Sequence, residues 1–194
     1  LNYLFFHRTL TPLPIAREWP SDLTLELWRP TLAQPLPPDL PLFPFGVWSA
    51  FHFLKVFSAP DYAVLLIRQG ERLVNRTCIF PPHFKFPFMR PEELQLAGLW
   101  TDPTQRGRGL GFLAVQEVFR RLGDPRRSLW YLAREGNRPS IRLAEKAGFQ
   151  FRGMGARKAT WSMGRFHFDA PVVSIPCSGA RRPPLQPAQW PEEA

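Results

Sequence analysis

The chain has 194 residues and a mass of 22.4 kDa, enough for one ordinary domain with a real core and too little for two full-sized ones. Hydrophobic residues at 44% and charged residues at 21% exclude wholesale disorder and a membrane-embedded chain, and two cysteines, Cys78 and Cys177, exclude a disulfide framework and match no zinc or redox spacing. The net charge of +9, with 21 Arg against 4 Lys, points to anionic partners: a phosphorylated cofactor, a nucleic acid or an anionic surface would each satisfy it.

Free thiols suggest a reducing cytoplasm. At the N-terminus Leu4-Phe5-Phe6 is interrupted by His7 and Arg8, too short for a signal segment, and no apolar run approaches the roughly 18 residues of a membrane span. Residues 9–45 hold nine prolines, so regular structure there should be brief, with one short strand at Leu23 to Trp28. Val47, Phe51, Leu54 and Phe57 recur at helical spacing in a predicted helix from Phe45 to Phe57. Tyr62 to Arg68 and Arg72 to Phe80 read as a hairpin turned at Gly70. Pro81 to Pro91 is an aromatic loop whose prolines forbid a central strand.

Glu93 to Thr101 is predicted as a strand, Asp102 to Gly109 as a glycine-rich turn, and Leu110 to Leu122 as a helix with Phe112, Val115, Phe119 and Leu122 on one face. A strand from Ser128 to Leu132 follows. Asn137 can cap a helix that accepts Pro139 in its first turn and stops at Gly148. Phe149 to Phe151 restarts as strand, and Ala159 to Phe168 is predicted as another, with Trp161 and Met163 changing phase to Phe166 and Phe168 around a bulge at Gly164. The expected organisation is one domain over residues 1–175, with a divergent Pro-rich region over 1–60, and a Pro-rich tail over 176–194.

The chemistry concentrates between the predicted strand ending at Thr101 and the helix beginning at Leu110. Gly107, Gly109 and Gly111 let backbone approach a ligand and aim successive N–H groups one way at the positive end of a helix, while Arg106 and Arg108 add charge. That describes a pyrophosphate cradle, or on the bland reading an ordinary turn. No Gly-Lys-Ser/Thr follows, so it is not a P-loop, and Asp124, the acidic residue about 20 positions on, lies outside any predicted strand, which disfavours a dinucleotide fold.

Arg106-x-x-Gly109-x-Gly111 after a strand resembles the acyl-CoA signature of the GCN5-related N-acetyltransferase (GNAT) superfamily. Asn137-Arg138-Pro139-Ser140, followed by a helix ending in Glu145-Lys146-Ala147-Gly148-Phe149, is similar to the family's second motif, in the same order and spacing. The resemblance runs from about Leu94 to Arg152. It implies an α/β (α+β) fold, a mixed, twisted sheet with splayed central strands flanked by helices, and an acetyl-CoA or other acyl-CoA cofactor entering the gap. Backbone of Arg106, Gly107, Arg108, Gly109, Leu110 and Gly111 would then hold the pyrophosphate, Leu99, Trp100 and Thr101 would pair with the pantetheine arm, and an amide near Thr101 would polarise the thioester. Asn137 and Ser140 would face the cofactor. No metal is implied.

The implied reaction transfers an acyl group to a primary amine, which must lose a proton; Glu93 is the first candidate to take it and His83 the second. Against them stand the bland readings of a solvated strand edge and a packed ring. Many family members carry a tyrosine acid at the position of Ala144; here Ser140, as in the branch that modifies protein N-termini, or Tyr131 would serve the departing sulfur. The expected acceptor is a small biosynthetic amine such as an amino sugar, with a protein N-terminus as the alternative, framed by residues 30–57 and 81–91: Trp48, Phe51, His52, Phe84, Phe86, Phe88 and Met89 line that region or merely pack its core. A non-catalytic acyl-CoA sensor is a further alternative. The 14 basic against 4 acidic residues between Thr104 and Arg165 also allow a nucleic-acid stripe, but no nucleic-acid motif accompanies them and none is expected to bind specifically. A dimer is left open.

Overall fold

The computed structural model describes residues 2–11, 20–159 and 166–172. Within these residues eight strands form one mixed sheet: β1 (Asn2–Leu10), β2 (Leu23–Trp28), β3 (Ala63–Gln69), β4 (Arg72–Phe80), β5 (Leu94–Thr101), β6 (Asp124–Arg134), β7 (Gln150–Ala159) and β8 (Phe166–Phe168). Among the described residues three helices flank it, α1 (Leu42–Phe53), α2 (Leu110–Leu122) and α3 (Arg138–Lys146). The strand order is β2-β3-β4-β5-β6-β1-β7-β8, with every pairing antiparallel except β5 with β6.

The predicted hairpin forms around Gly70, whose φ of 57° supplies the turn, and α2 spans the expected residues. Helix α1 starts earlier than its periodicity predicts and ends at Phe53, because Lys55 takes a left-handed backbone (φ 54°) and stops it. Three differences share one cause. β1 inserts between β6 and β7, pairing Tyr3 to Leu10 with β6 and Asn2 to His7 with β7, so both partners extend well past the short strands expected at 128–132 and 149–151. Both faces of β1 are covered: Phe6 and Leu10 join the core under α2, while Phe5 packs with Phe86, Met89 and Phe168. Such a strand shows no clean alternation.

The expected single strand from Ala159 to Phe168 is corrected: Ala159 pairs antiparallel with Phe166, so the two residues belong to different strands. The expected bulge at Gly164, with Trp161 and Met163, lies outside the described residues, as does the tail over 176–194 with Cys177.

Two apolar layers sandwich the sheet. On one face Leu94, Leu96, Leu129 and Tyr131 pack with Leu113, Val118 and Phe119 of α2 and with Ala144 of α3. On the other, α1 and the segment before β3, through Phe57 and Tyr62, cover Val64, Leu66, Cys78 and Phe80. Among the described residues no helix is long and apolar enough to cross a membrane.

Candidate active site

The strands β5 and β6 pair only over Leu94 to Leu96 against Leu129 to Tyr131. Beyond that foot they part: β5 continues to Thr101 beside β4 alone, and β6 continues to Arg134 beside β1 alone. Among the described residues the two inner edges carry backbone groups with no strand partner, ready to pair with an extended ligand. Just above the foot, Arg76 pairs with Trp100 and Cys78 with Ala97, so three steps on β5 oppose two on β4. This is a bulge with Gly98 at φ 61°, and a Cβ there would meet Cys78 Sγ at 3.1 Å. The bulge puts loosened backbone at Ala97 to Leu99, nearer the foot than Thr101.

At the open end of β5, Asp102 fixes the turn: its carboxylate accepts from Thr104 N (2.9 Å), Thr104 Oγ1 (2.8 Å) and Arg72 Nε (3.0 Å). Gly107 and Gly109 follow at φ 82° and 80°, conformations costly to any residue with a Cβ. Gly109 is the N-cap of α2 without a side-chain cap, and no acidic residue occupies the first turn. The leading N–H groups of the helix are therefore free to receive an anion. A Cβ at either glycine would meet nothing within 4 Å, so the turn opens outward; Arg106 Nε lies 3.4 Å from Thr101 O, and Arg108 bonds Gln105. The donors, the charge and the open room fit a pyrophosphate.

Across the gap, the end of β6 and the start of α3 form a cleft of about 610 Å³ lined by Asn2, Arg134, Glu135, Gly136 and Asn137. Asn137 Oδ1 caps α3 by accepting from Ser140 N at 3.3 Å. Ser140 Oγ lies 2.7 Å from Tyr131 Oη, and Tyr131 is the last β6 residue to pair with β5. Burial raises the Tyr131 pKa, offset in part by the Ser140 hydrogen bond, so the phenol stays protonated at neutral pH. Two hydroxyls thus stand at the apex of the gap, on the face that also carries α2 and α3, while Ala144 is fully buried in the core.

Glu93 lies one residue before the foot, on the opposite face. Its Oε2 accepts from Trp130 Nε1 (2.9 Å) and Arg90 N (2.8 Å); its Oε1 accepts from Ser128 Oγ (3.1 Å) and Arg90 Nη2 (3.1 Å), with His7 Nε2 at 3.3 Å. Burial pushes the carboxyl pKa up, but the donors together outweigh it and hold it below its ordinary value. His7 Nε2 also lies 2.9 Å from Ser128 Oγ, and burial lowers the His7 pKa. His83 packs among Phe57, Phe80, Phe84 and Phe86, with Nδ1 3.1 Å from Pro81 O, and burial brings its pKa down to about 4. The cradle residues, Asn137 and Ser140 therefore flank one gap, whereas Glu93 and His83 sit below and behind it. Sequence reasoning missed His7, because its partners Glu93 and Ser128 lie more than 80 residues away, and Gln95, whose buried Oε1 on that same rear face has no hydrogen-bond partner among the described residues.

A model of the GNAT acetyltransferase family matches residues 23–149. The chain belongs to that family. A GCN5-related N-acetyltransferase from Sphaerobacter thermophilus shares the fold at 19% identity and a TM-score of 0.51, over 79% of this chain and 49% of that one. A tandem GNAT protein from the clavulanic acid biosynthesis pathway does so at 16% identity and a TM-score of 0.51, over 77% and 50%. A GNAT-family protein from Novosphingobium aromaticivorans aligns at 18% identity and a TM-score of 0.47, over 79% and 61%; the chain thus spans less than two thirds of these relatives. A search of curated protein sequences found no match.

Within this GNAT fold the basic stripe is partly neutralised by its own acids. Arg120 and Arg121 pair with Glu117, Arg126 with Asp124, and Arg127 with Asp61. Of the expected acceptor-lining aromatics, Phe86 and Met89 are buried core, Trp48 and Phe51 pack against the α1 cluster, and Phe84 is 38% exposed.

Proposed function

We propose that this chain is an acyl-CoA-dependent N-acyltransferase, taking acetyl-CoA as donor and a small primary amine as acceptor. The observation that carries the reading is the gap itself: an anion cradle at its mouth, unpaired strand edges along its walls and a hydroxyl pair at its apex. Acyl-CoA supplies the activated carbonyl and a sulfur leaving group. The cradle from Arg106 to Gly111 binds the diphosphate, and the free edge of Leu99 to Thr101 orients the arm by main-chain pairing. The loosened backbone at the Gly98 bulge offers an N–H to the carbonyl oxygen, where charge develops during attack.

The balance of the transfer is simple: the amine nitrogen forms a bond to the acyl carbon, the carbon–sulfur bond breaks, and one proton moves from nitrogen to sulfur. Tyr131 and Ser140 supply the sulfur's proton through their shared hydrogen bond. The nitrogen's proton departs by water, because every acceptor position on Glu93 is engaged and His83 stands half-buried among aromatic rings behind the gap. With a thiol pKa near 8.5, the sulfur leaves tolerably even without a strong acid.

Titration calorimetry with acetyl-CoA and with free CoA, followed by thiol release against an amine panel, tests the reading. Saturable binding with amine-dependent thiol release is the expected result. No binding of either ligand would overturn it, and binding without release from any amine would favour the sensor.

A further inference from the structure

On the α1 face of the sheet, Arg76 is a guanidinium with no counter-charge among the described residues. Arg76 sits on β4 at the bulge, paired in register with Trp100, and its Cζ lies 5.2 Å from the Phe45 ring centroid and 5.7 Å from the Trp100 ring centroid. It is half-buried, its Nε is sealed from solvent without a hydrogen-bond partner, and it enters no ion pair with a described residue. The acids of this face are engaged elsewhere or out of reach. Glu93 is held by Arg90, Asp61 by Arg29 and Arg127, and Glu26 lies two strands away across Leu66, about 10 Å by strand spacing. Two neighbouring strand arginines do find a carboxylate: Arg68 has Asp39 and Arg72 has Asp102.

A guanidinium drawn out of water without a carboxylate is costly, and stacking on two rings offsets only part of that cost. What the rings do provide is orientation, fixing a planar fork that suits a carboxylate. The position matters as much as the charge. Arg76 is two residues from Cys78, which pairs with Ala97 at the first step above the foot, so the fork is anchored about 7 Å along the strand from the point where the gap opens. An acceptor approaching from the α1 face, opposite the hydroxyl pair, meets Arg76 beside the reacting centre.

We propose that the acceptor is an amino acid, an amine carrying a carboxylate a few bonds away, and that Arg76 binds this carboxylate and so determines acceptor specificity. The proposal rests on the acyltransferase reading and names the substrate class of the same site. Arg76 touches substrate through the carboxylate; it does not take part in proton transfer.

The test measures binding and turnover with the same panel: the α-amino acids, β-alanine and γ-aminobutyrate, each with its carboxamide, and phosphoethanolamine as a phosphate-bearing amine. Thermal stabilisation is recorded with and without free CoA, and thiol release with acetyl-CoA. At least one amino acid should stabilise the protein and react with kcat/KM at least tenfold above its carboxamide. R76Q should abolish that preference through KM, with saturable acetyl-CoA binding retained, and R76K should restore part of it. The proposal is overturned if no amino acid stabilises the protein, if carboxamides do as well, if phosphoethanolamine alone binds, or if R76Q, still folded by its melting transition, retains the preference. Failure of acetyl-CoA to bind would sink the acyltransferase reading instead, and the amino acid titrations without CoA would still decide whether Arg76 holds a carboxylate.

Discussion

Replacing Gly109 separates the backbone demand of the cradle from its electrostatics. Gly109 has φ 80° and a Cβ there meets nothing within 4 Å, so Gly109→Ala introduces no clash and costs only the left-handed backbone, about 1–2 kcal/mol. For a chain of this length that is a melting-temperature drop of about 2–8 °C. Gly109→Glu bears the same backbone cost, yet it puts a negative charge at the N-terminus of an uncapped helix, which returns about 0.3–1 kcal/mol. The glutamate variant should therefore be at least as stable as the alanine variant. Ligand affinity should order the other way. The carboxylate occupies the N–H groups that would receive a diphosphate, and loss of a single hydrogen bond to a charged group, about 1.5–3 kcal/mol, weakens Kd roughly 10- to 150-fold. Calorimetric titration of both variants with CoA, beside their melting curves, reads the two effects independently. Equal affinity of wild-type and Gly109→Glu protein would refute the cradle, and equal losses in both variants would assign the effect to backbone distortion.

Tyr131→Phe removes one hydroxyl of the apex pair and should lower kcat about 10- to 100-fold at pH 7 with acetyl-CoA affinity intact; the deficit should shrink above about pH 8.5, where the thiolate leaves without a proton. Ser140→Ala should slow turnover in the same way, and wild-type rates in both variants would leave the pair a packing role. His83 is held neutral to about pH 4, while the unfolded chain takes up this proton near pH 6.5; the unfolded state binds more protons between those values, so this site's contribution falls by an amount on the order of 3 kcal/mol as pH drops through that window. His83→Phe should flatten that part of the pH–stability curve and keep its turnover, and a folded but inactive variant would make His83 the base. Glu93→Gln should cost about 2–4 kcal/mol in urea unfolding, since it loses charge-assisted bonds at the foot. Because the folded Glu93 pKa is depressed, that stability is present above the unfolded pKa and lost as pH falls through the folded one. Turnover in the glutamine variant should keep the wild-type pH profile, and a flattened profile would restore Glu93 as proton acceptor.

What could be read before the fold was known is what depends on near neighbours. The turn from Asp102 to Gly109 needs positive φ at two glycines and a carboxylate two residues from its hydrogen-bonding partner, all within eight positions, and α2 shows its buried face at regular spacing. The Asn137 cap and Ser140 lie three residues apart. β1 was illegible for the opposite reason. Its hydrogen bonds go to residues 124–134 and 150–156, and with both faces covered its sequence, NYLFFHRTL, carries neither a strand alternation nor a helical one. Arg76 is a similar case: its isolation is a property of Phe45, Trp100 and the displaced acids together, which a single run of sequence does not contain.

The Glu93 cluster connects these long-range features to the site. Two parallel strands that pair at one end and gape at the other gain hydrogen bonds by zipping further, so the point of separation must be held by something other than their own ladder. On β5 the Gly98 bulge breaks the register above Ala97. On β6, β1 takes up the backbone from Arg134 to Ser128, giving the strand a full set of partners on its far side. At the foot, Glu93 receives hydrogen bonds from Ser128 and Trp130 of β6 and from Arg90 of the preceding loop, with His7 of β1 in reach, so one buried carboxylate ties three segments just below the opening. A carboxylate used in this way has no lone pair left for an incoming amine. Its place beside the gap nevertheless follows from the same requirement, because a clamp must sit where the strands begin to part.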